Sequence, residues 1–175
     1  MLGCGVPLSN VVGLVDANRI GPDVAPTWSL DPAAEIVPGY LGTQPATAHA
    51  LTNTLSRAFM HRRLWLNDPD CLLLRTSSTA LSAAAARTWA HAVGVSGGTA
   101  IVSDDLALLG ATERALFDEV VAIGRVADAA ASGGDGPRCL DLLDHATPRR
   151  LVSAAGALEV DPVTGESVLV RADVS

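Results

Sequence analysis

Apolar residues fall along this chain in short runs, most of them closed by a carboxylate-bearing loop, with stretches of helical spacing between them. Val11, Val12, Leu14 and Val15 form the first run and lead into a buried strand predicted to end near Arg19 and Ile20. Gly21 and Pro22 stop regular structure there, because proline removes a donor and glycine frees the backbone. From Pro26 to Pro45 repeated Pro and Gly predict a loop. Leu51, Leu55, Ala58 and Phe59 recur at helical spacing, so a helix is predicted over 47–62. Leu64, Trp65 and Leu66 are a short apolar run closed by a turn signature, Asn67, Asp68, Pro69 and Asp70. Cys71 to Leu74 extends or follows it as strand or loop.

Ser78 or Thr79 is placed to cap a helix running through Leu81, Ala85, Trp89 and Val93, which Gly94, Gly97 and Gly98 end. Thr99 to Val102 reads as a compact buried strand. Asp104 and Asp105 directly follow it. A further helix is predicted over about 112–126, with Leu116, Val120 and Ile123 on one side. Residues 128–137 are Ala-, Gly- and Pro-rich and read as a linker. Beyond them the period changes, and 138–143, 150–153 and 168–172 read as short strands with turns at Thr147–Pro148 and Thr164–Gly165. A domain boundary is placed near residue 133, giving units at 1–133 and 134–175. Apolar runs separated by helices predict α/β structure, as a parallel barrel or an open parallel sheet.

Composition narrows the function classes. The chain has 175 residues and a net charge of −7. All 12 basic residues are Arg and none is Lys. A Walker phosphate loop and a Schiff-base nucleophile both need Lys, so neither is available in this sequence. The acidic balance argues against nucleic-acid and anionic-membrane partners. No apolar run approaches the ~20 residues that span a bilayer. Three cysteines, Cys4, Cys71 and Cys139, fit neither a disulfide framework nor a zinc site. A reduced, cytoplasmic chain is expected. The length is also short of a complete (β/α)₈ barrel, which takes roughly 250 residues.

The strand ends hold the candidate chemistry. Asp23 has Arg19 four residues before it and Trp28 five after it. Arg, carboxylate and an exposed indole together suit a sugar, because the charged groups bond hydroxyls and the indole face packs on C–H groups. A turn or surface ion pair is the alternative. Asn67 to Asp70 reads as a turn or as pocket carboxylates, and Asp104–Asp105 as a helix N-cap with a first-turn charge. A hard-metal site using Asp68, Asp70, Asp104 and Asp105 lacks EF-hand spacing and His–carboxylate pairing. Cys4 reads as a small buried apolar residue, Trp89 and Phe59 as packing, and His49, His61, His91 and His145 as surface or core filler.

Three ordered motifs resemble a known family. Leu2 to Leu8 with Gly13 to Pro26 resembles later barrel strands of the melibiase-type α-galactosidases of glycoside hydrolase family 36. Trp65 to Asp70 resembles the Trp-Asn-Asp-Pro-Asp segment of the related family 27 enzymes. Ser96 to Leu106 resembles the last barrel strand of both, and 138–175 the start of the antiparallel β-domain that follows. The resemblance implies the last strands and helices of a (β/α)₈ barrel followed by a short antiparallel β segment. It implies retaining hydrolysis of terminal α-galactosides or related α-linked sugars, with no cofactor and no metal. Asp23 matches the general acid/base, Arg19 the Arg that binds sugar hydroxyls, Cys4 a pocket-lining Cys and Asp70 a pocket-wall carboxylate. Trp65, Asn67 and Asp68 accompany it, and Trp28 joins them as a candidate sugar contact.

The family nucleophile is an Asp in a Lys-x-Asp arrangement, and a chain without Lys has no such motif. The expectation is therefore a fragment of such an enzyme that is inactive alone. Its partners are an α-galactoside or related oligosaccharide, and either the missing N-terminal half or a second copy. The alternative is a non-catalytic carbohydrate-binding or interaction remnant.

Overall fold

The computed structural model describes residues 1–29 and 45–172. Most of the predicted 26–45 loop lies outside the described residues. Among the described residues there are two sheets and three α-helices, and the chain is of the α/β type. Strands β1 (Leu2–Gly3), β2 (Ala17–Arg19) and β3 (Leu66–Asp68) form a parallel sheet in sequential order. In its register Asn18 stands beside Asn67, and Arg19 beside Asp68. Helix α1 (Thr47–Arg57) crosses from β2 to β3, as parallel pairing requires. Helices α2 (Ala83–Ser96) and α3 (Ala111–Ser132) follow. An antiparallel sheet of β4 (Arg138–Cys139), β5 (Arg150–Ser153), β6 (Gly156–Val160) and β7 (Ser167–Arg171) completes the chain.

Helix α2 is the centre of the molecule. Nearly all of it is buried, against α1, α3 and the antiparallel sheet. A helix enclosed on several sides needs no polar stripe. Its small residues let neighbours approach: a Cβ on Gly94 would press on Ile123 of α3. Trp89 fills the middle of one core with Leu51, Leu55, Val93, Val120, Ile123, Leu151 and Leu158.

Several boundaries differ from the sequence pattern, each for a local reason. Val12 and Leu14 are exposed, in a turn after a short 3-10 helix (Leu8–Asn10), and the strand itself is only Ala17–Arg19. The 47–62 helix tightens to a 3-10 turn at Ala58–Met60, which leaves Phe59 exposed and outside the core. Ser82, not Ser78 or Thr79, caps α2, its hydroxyl accepting from the Ala85 N–H. Thr99 to Val102 is no buried strand. Val102 makes a single parallel bridge to Leu72, and Ile101 is exposed. Helix α3 runs to Ser132 through the first half of the expected linker, because Ala127 and Ala131 continue the buried stripe of Leu116, Val120 and Ile123. The 138–143 strand stops at Cys139, and β6, with its alternate residues buried, has no counterpart in the predicted elements.

Candidate functional site

The C-terminal ends of β2 and β3 bring Arg19 and three carboxylates together. Arg19 and Asp68 are register partners on one face of the sheet. Arg19 Nε donates to Asp68 Oδ2 at 3.1 Å, Nη2 pairs with Asp70 Oδ1 at 3.0 Å, and Nη1 with Asp23 Oδ1 at 3.1 Å. The side chains of Asp68 and Asp70 are 3% and 7% exposed, whereas that of Asp23 is 69% exposed. Asp23 is thus the one carboxylate of the three that solvent or a ligand reaches freely. Burial works against the Arg19 charge, but Asp68 and Asp70 outweigh it and hold the guanidinium more firmly protonated than usual.

Asp70 is the brace of this cluster. Its φ is 94°, in the left-handed region that a non-glycine residue adopts at a cost. Three backbone and side-chain partners over-determine it. Oδ1 accepts from the Cys71 N–H at 2.7 Å as well as from Arg19, and Oδ2 accepts from the Val24 N–H at 2.7 Å. The last bond fixes the residue next to Asp23. Asp68 Oδ1 in turn accepts from the Asp70 N–H at 3.0 Å and the Thr99 hydroxyl at 3.1 Å.

The remaining predicted site residues do other work. Alternation along β3 sends Leu66 and Asp68 to the site face and Trp65 and Asn67 to the opposite one. Trp65 is buried and donates its indole N–H to Asn67 Oδ1 at 3.1 Å, and the Asn67 amide donates to the Arg57 carbonyl at 3.1 Å. Both hold α1 against β3 and neither faces the cleft. Trp28 is half-buried, not an exposed platform. Its indole N–H bonds the Pro162 carbonyl at 2.9 Å and its ring packs beside Gly165. Cys4 is exposed, because the chain turns at Gly5 just after β1. Trp89 is packing, as expected, and its indole N–H bonds the Cys71 carbonyl at 2.9 Å.

Two histidines are not filler. His61 is buried beneath β3, and its Nδ1 accepts from the Asn67 N–H at 3.3 Å. Its Nε2 therefore carries the proton that goes to Asp128 Oδ1, 2.7 Å away on α3. Asp128 also accepts from the Gly98 N–H at 3.0 Å. Gly98 has φ +97°, and a Cβ there would strike the Asn67 carbonyl, so only glycine lets this loop lie against β3. His91 lies 3.6 Å from Glu119, and burial lowers its pKa. His145 is exposed.

Burial raises the Asp128 carboxyl, but hydrogen bonds from His61 and Gly98, with the charge of Arg62, outweigh it and hold it below the usual range. The unfolded carboxyl takes up its proton near pH 4. This contribution to stability is therefore complete above that pH and is lost as pH falls through the lower folded value. The urea midpoint of Asp128→Asn is expected to fall less steeply below about pH 4 than that of the unaltered chain. Parallel profiles would remove Asp128 from the linkage.

A cleft of about 360 Å³ opens beside Arg19 and is lined by Asp23, Asp70, Cys71, Leu73, Arg75, Ser103 and Asp104, with Val24 and Pro26 at its side. Neither Arg75 nor Asp104 is among the sugar-site residues that the sequence marks. Asp104 does not cap a helix. Its Oδ2 accepts from the Leu74 and Arg75 N–H groups, while Asp105 caps the 3-10 turn Leu106–Leu108. Burial and the neighbouring Asp70 raise the Cys71 thiol pKa in the same cleft. A larger hollow of about 550 Å³ lies between α2 and the β6–β7 hairpin, but no parallel-strand end reaches it. Among the described residues no group of three or more His, Cys, Asp or Glu is arranged to hold a metal ion. Among them, too, no helix is long and apolar enough to cross a membrane.

No protein-family model matches the chain. Solved structures do. An α-galactosidase from Thermus thermophilus, TtGalA in complex with p-nitrophenyl α-D-galactopyranoside, is similar over 93% of this chain, at 25% identity and a TM-score of 0.65. TtGalA in complex with stachyose is similar over 69% of the chain, at 29% identity and a TM-score of 0.58. α-Galactosidase I from Mortierella vinacea is similar in fold over 95% of it, at 14% identity and a TM-score of 0.62. The chain spans 30%, 26% and 40% of those three chains. It shares the α-galactosidase fold.

Proposed function

We propose that this chain carries the acid/base side of a retaining glycoside hydrolase site for terminal α-galactosides, on the later strands of a (β/α)₈ barrel. One observation carries it: Arg19 gathers three carboxylates at the ends of parallel strands and leaves only Asp23 open, in a chain with an α-galactosidase fold. Successive parallel strands that present their chemistry at their C-terminal ends are the habit of such barrels. The sequential order β1-β2-β3 agrees with it.

In the first step Asp23 gives its proton to the glycosidic oxygen as the bond to the anomeric carbon breaks and a nucleophilic carboxylate takes that carbon. In the second step Asp23 takes a proton from the water that releases the sugar. Arg19 fixes the position of Asp23 in both. The nucleophile is not in a Lys-x-Asp motif of this sequence, which has no Lys. On this reading it comes from a segment other than these 175 residues.

The test is binding and turnover by the purified 175-residue chain. Methyl α-galactoside is expected to bind, seen as chemical-shift changes at residues 19–24 and 70–75, and to do so more tightly than methyl β-galactoside. p-Nitrophenyl α-galactoside is expected to bind without release of p-nitrophenol. Saturable hydrolysis that Asp23→Ala abolishes would show the nucleophile to be within this chain. Absence of any galactoside binding would overturn the sugar assignment.

A further inference from the structure

The cleft floor is an extended run. Leu72 and Leu74 are fully buried, while Cys71, Leu73 and Arg75 alternate with them and line the cleft. Four residues of extended chain cover about 13 Å. Asp70, with Arg19 and Asp23, stands at one end of this track, and Arg75, with Asp104, at the other. The apolar Leu73 lies between them. A track of that length exceeds one pyranose ring.

The two guanidiniums differ in what they have to spare. Arg19 has a carboxylate on each of its three nitrogens. Among the described residues Arg75 pairs with one carboxylate, Asp104, whose Oδ1 is 3.5 Å from Nε. That separation is too long for a good hydrogen bond, and both atoms are buried without a partner. The Arg75 side chain is 26% exposed, and this surface belongs to atoms other than the buried Nε. Among the described residues its two terminal nitrogens have no partner, so four N–H donors are available to a ligand. The side chain of Asp104 is 1% exposed and is anchored by two backbone N–H groups, which makes it a fixed post for Arg75. Three carboxylates, Asp23, Asp70 and Asp104, line the cleft with two guanidiniums, and this excess of negative charge disfavours an anionic ligand.

We infer that Arg75, positioned by Asp104, is a specificity-determining residue that binds hydroxyls on the second sugar of a neutral α-galactosyl oligosaccharide. Leu73 meets the C–H face between the two ends. This rests on the α-galactoside assignment above. It adds hydroxyl recognition by a residue that no sequence motif marks.

The test compares methyl α-galactoside, which has one ring, with melibiose, which has two, by calorimetric titration of the 175-residue chain. Melibiose is expected to bind more tightly. In Arg75→Gln the ratio of the two affinities is expected to fall about tenfold, the worth of a charge-assisted hydrogen bond. Arg75→Lys keeps a cation for Asp104 but loses the fork, and its ratio is expected to fall by about threefold. A ratio unchanged in both variants overturns the inference while methyl α-galactoside binding stands. If Arg75→Gln loses its near-ultraviolet dichroism, Arg75→Lys alone decides it. If neither sugar binds the unaltered chain, the α-galactoside assignment fails and this inference with it. Digalacturonate binding as tightly as melibiose overturns the restriction to neutral ligands.

Discussion

Arg19→Met is expected to cost the chain about 3–5 kcal/mol of folding stability, the usual toll of stranding a buried charge by removing its partner. Two buried carboxylates, Asp68 and Asp70, together lose the one cation paired with them among the described residues. They keep backbone and hydroxyl donors from Val24, Asp70, Cys71 and Thr99, which softens the loss without cancelling it. Small domains are stable by only about 5–15 kcal/mol, so the change is large. Urea unfolding followed by circular dichroism measures it. Adding Asp68→Asn to Arg19→Met is expected to recover part of the loss, and the double-mutant cycle gives the coupling. A single-variant loss below about 1 kcal/mol would class Arg19 with surface ion pairs and dissolve the cluster.

Trp89→Ala is expected to cost a similar amount, about 3–5 kcal/mol, through the cavity left by a fully buried indole. It also leaves the Cys71 carbonyl without its indole donor at the start of the cleft floor. Trp89→Phe separates the two effects, since it keeps much of the volume and loses the bond, for about 1 kcal/mol. Phe59→Ala is the control: the ring is 40% exposed and its loss is expected to fall well short of that of Trp89. Comparable midpoints for the two alanine variants would contradict the placing of the core around α2.

The sequence made local relations legible and long-range ones illegible. Arg19 and Asp23 are four residues apart across a Gly-Pro break, so their pairing follows from the chain itself. Their meeting with Asp68 and Asp70 was accessible only through resemblance to a family. The motif from Trp65 to Asp70 reads as one group in sequence, yet strand alternation splits it into two site carboxylates and two buried braces. That split was available from the period of two. His61 and Asp128 lie 67 positions apart, and no local signal joins them. Arg75 and Asp104 likewise meet through the parallel contact of Leu72 with Val102. Thr99 to Val102 shows the opposite error, because β-branched apolar residues mark a strand-like segment without saying what covers it. The end of α3 is hard to place from sequence for a simpler reason: Ala127 and Ala131 belong to its buried stripe, but alanine reads weakly as apolar.

Trp28 carries a consequence for ancestry. The stretch from Val24 to Trp28 is moored at one end to Asp70, and at the other its indole reaches across to the Pro162 carbonyl in the β6–β7 hairpin. Between these moorings the carbonyls of Ala25 and Thr27 take bonds from Thr47. The open carboxylate at Asp23 thus hangs from a strap whose far anchor belongs to the antiparallel sheet. A genetic exchange that replaced this sheet with an unrelated one would release the strap while leaving every strand-end residue in place. The sheet and the strand ends are accordingly expected to be inherited as one unit, with Trp28 and the 161–165 turn changing in concert.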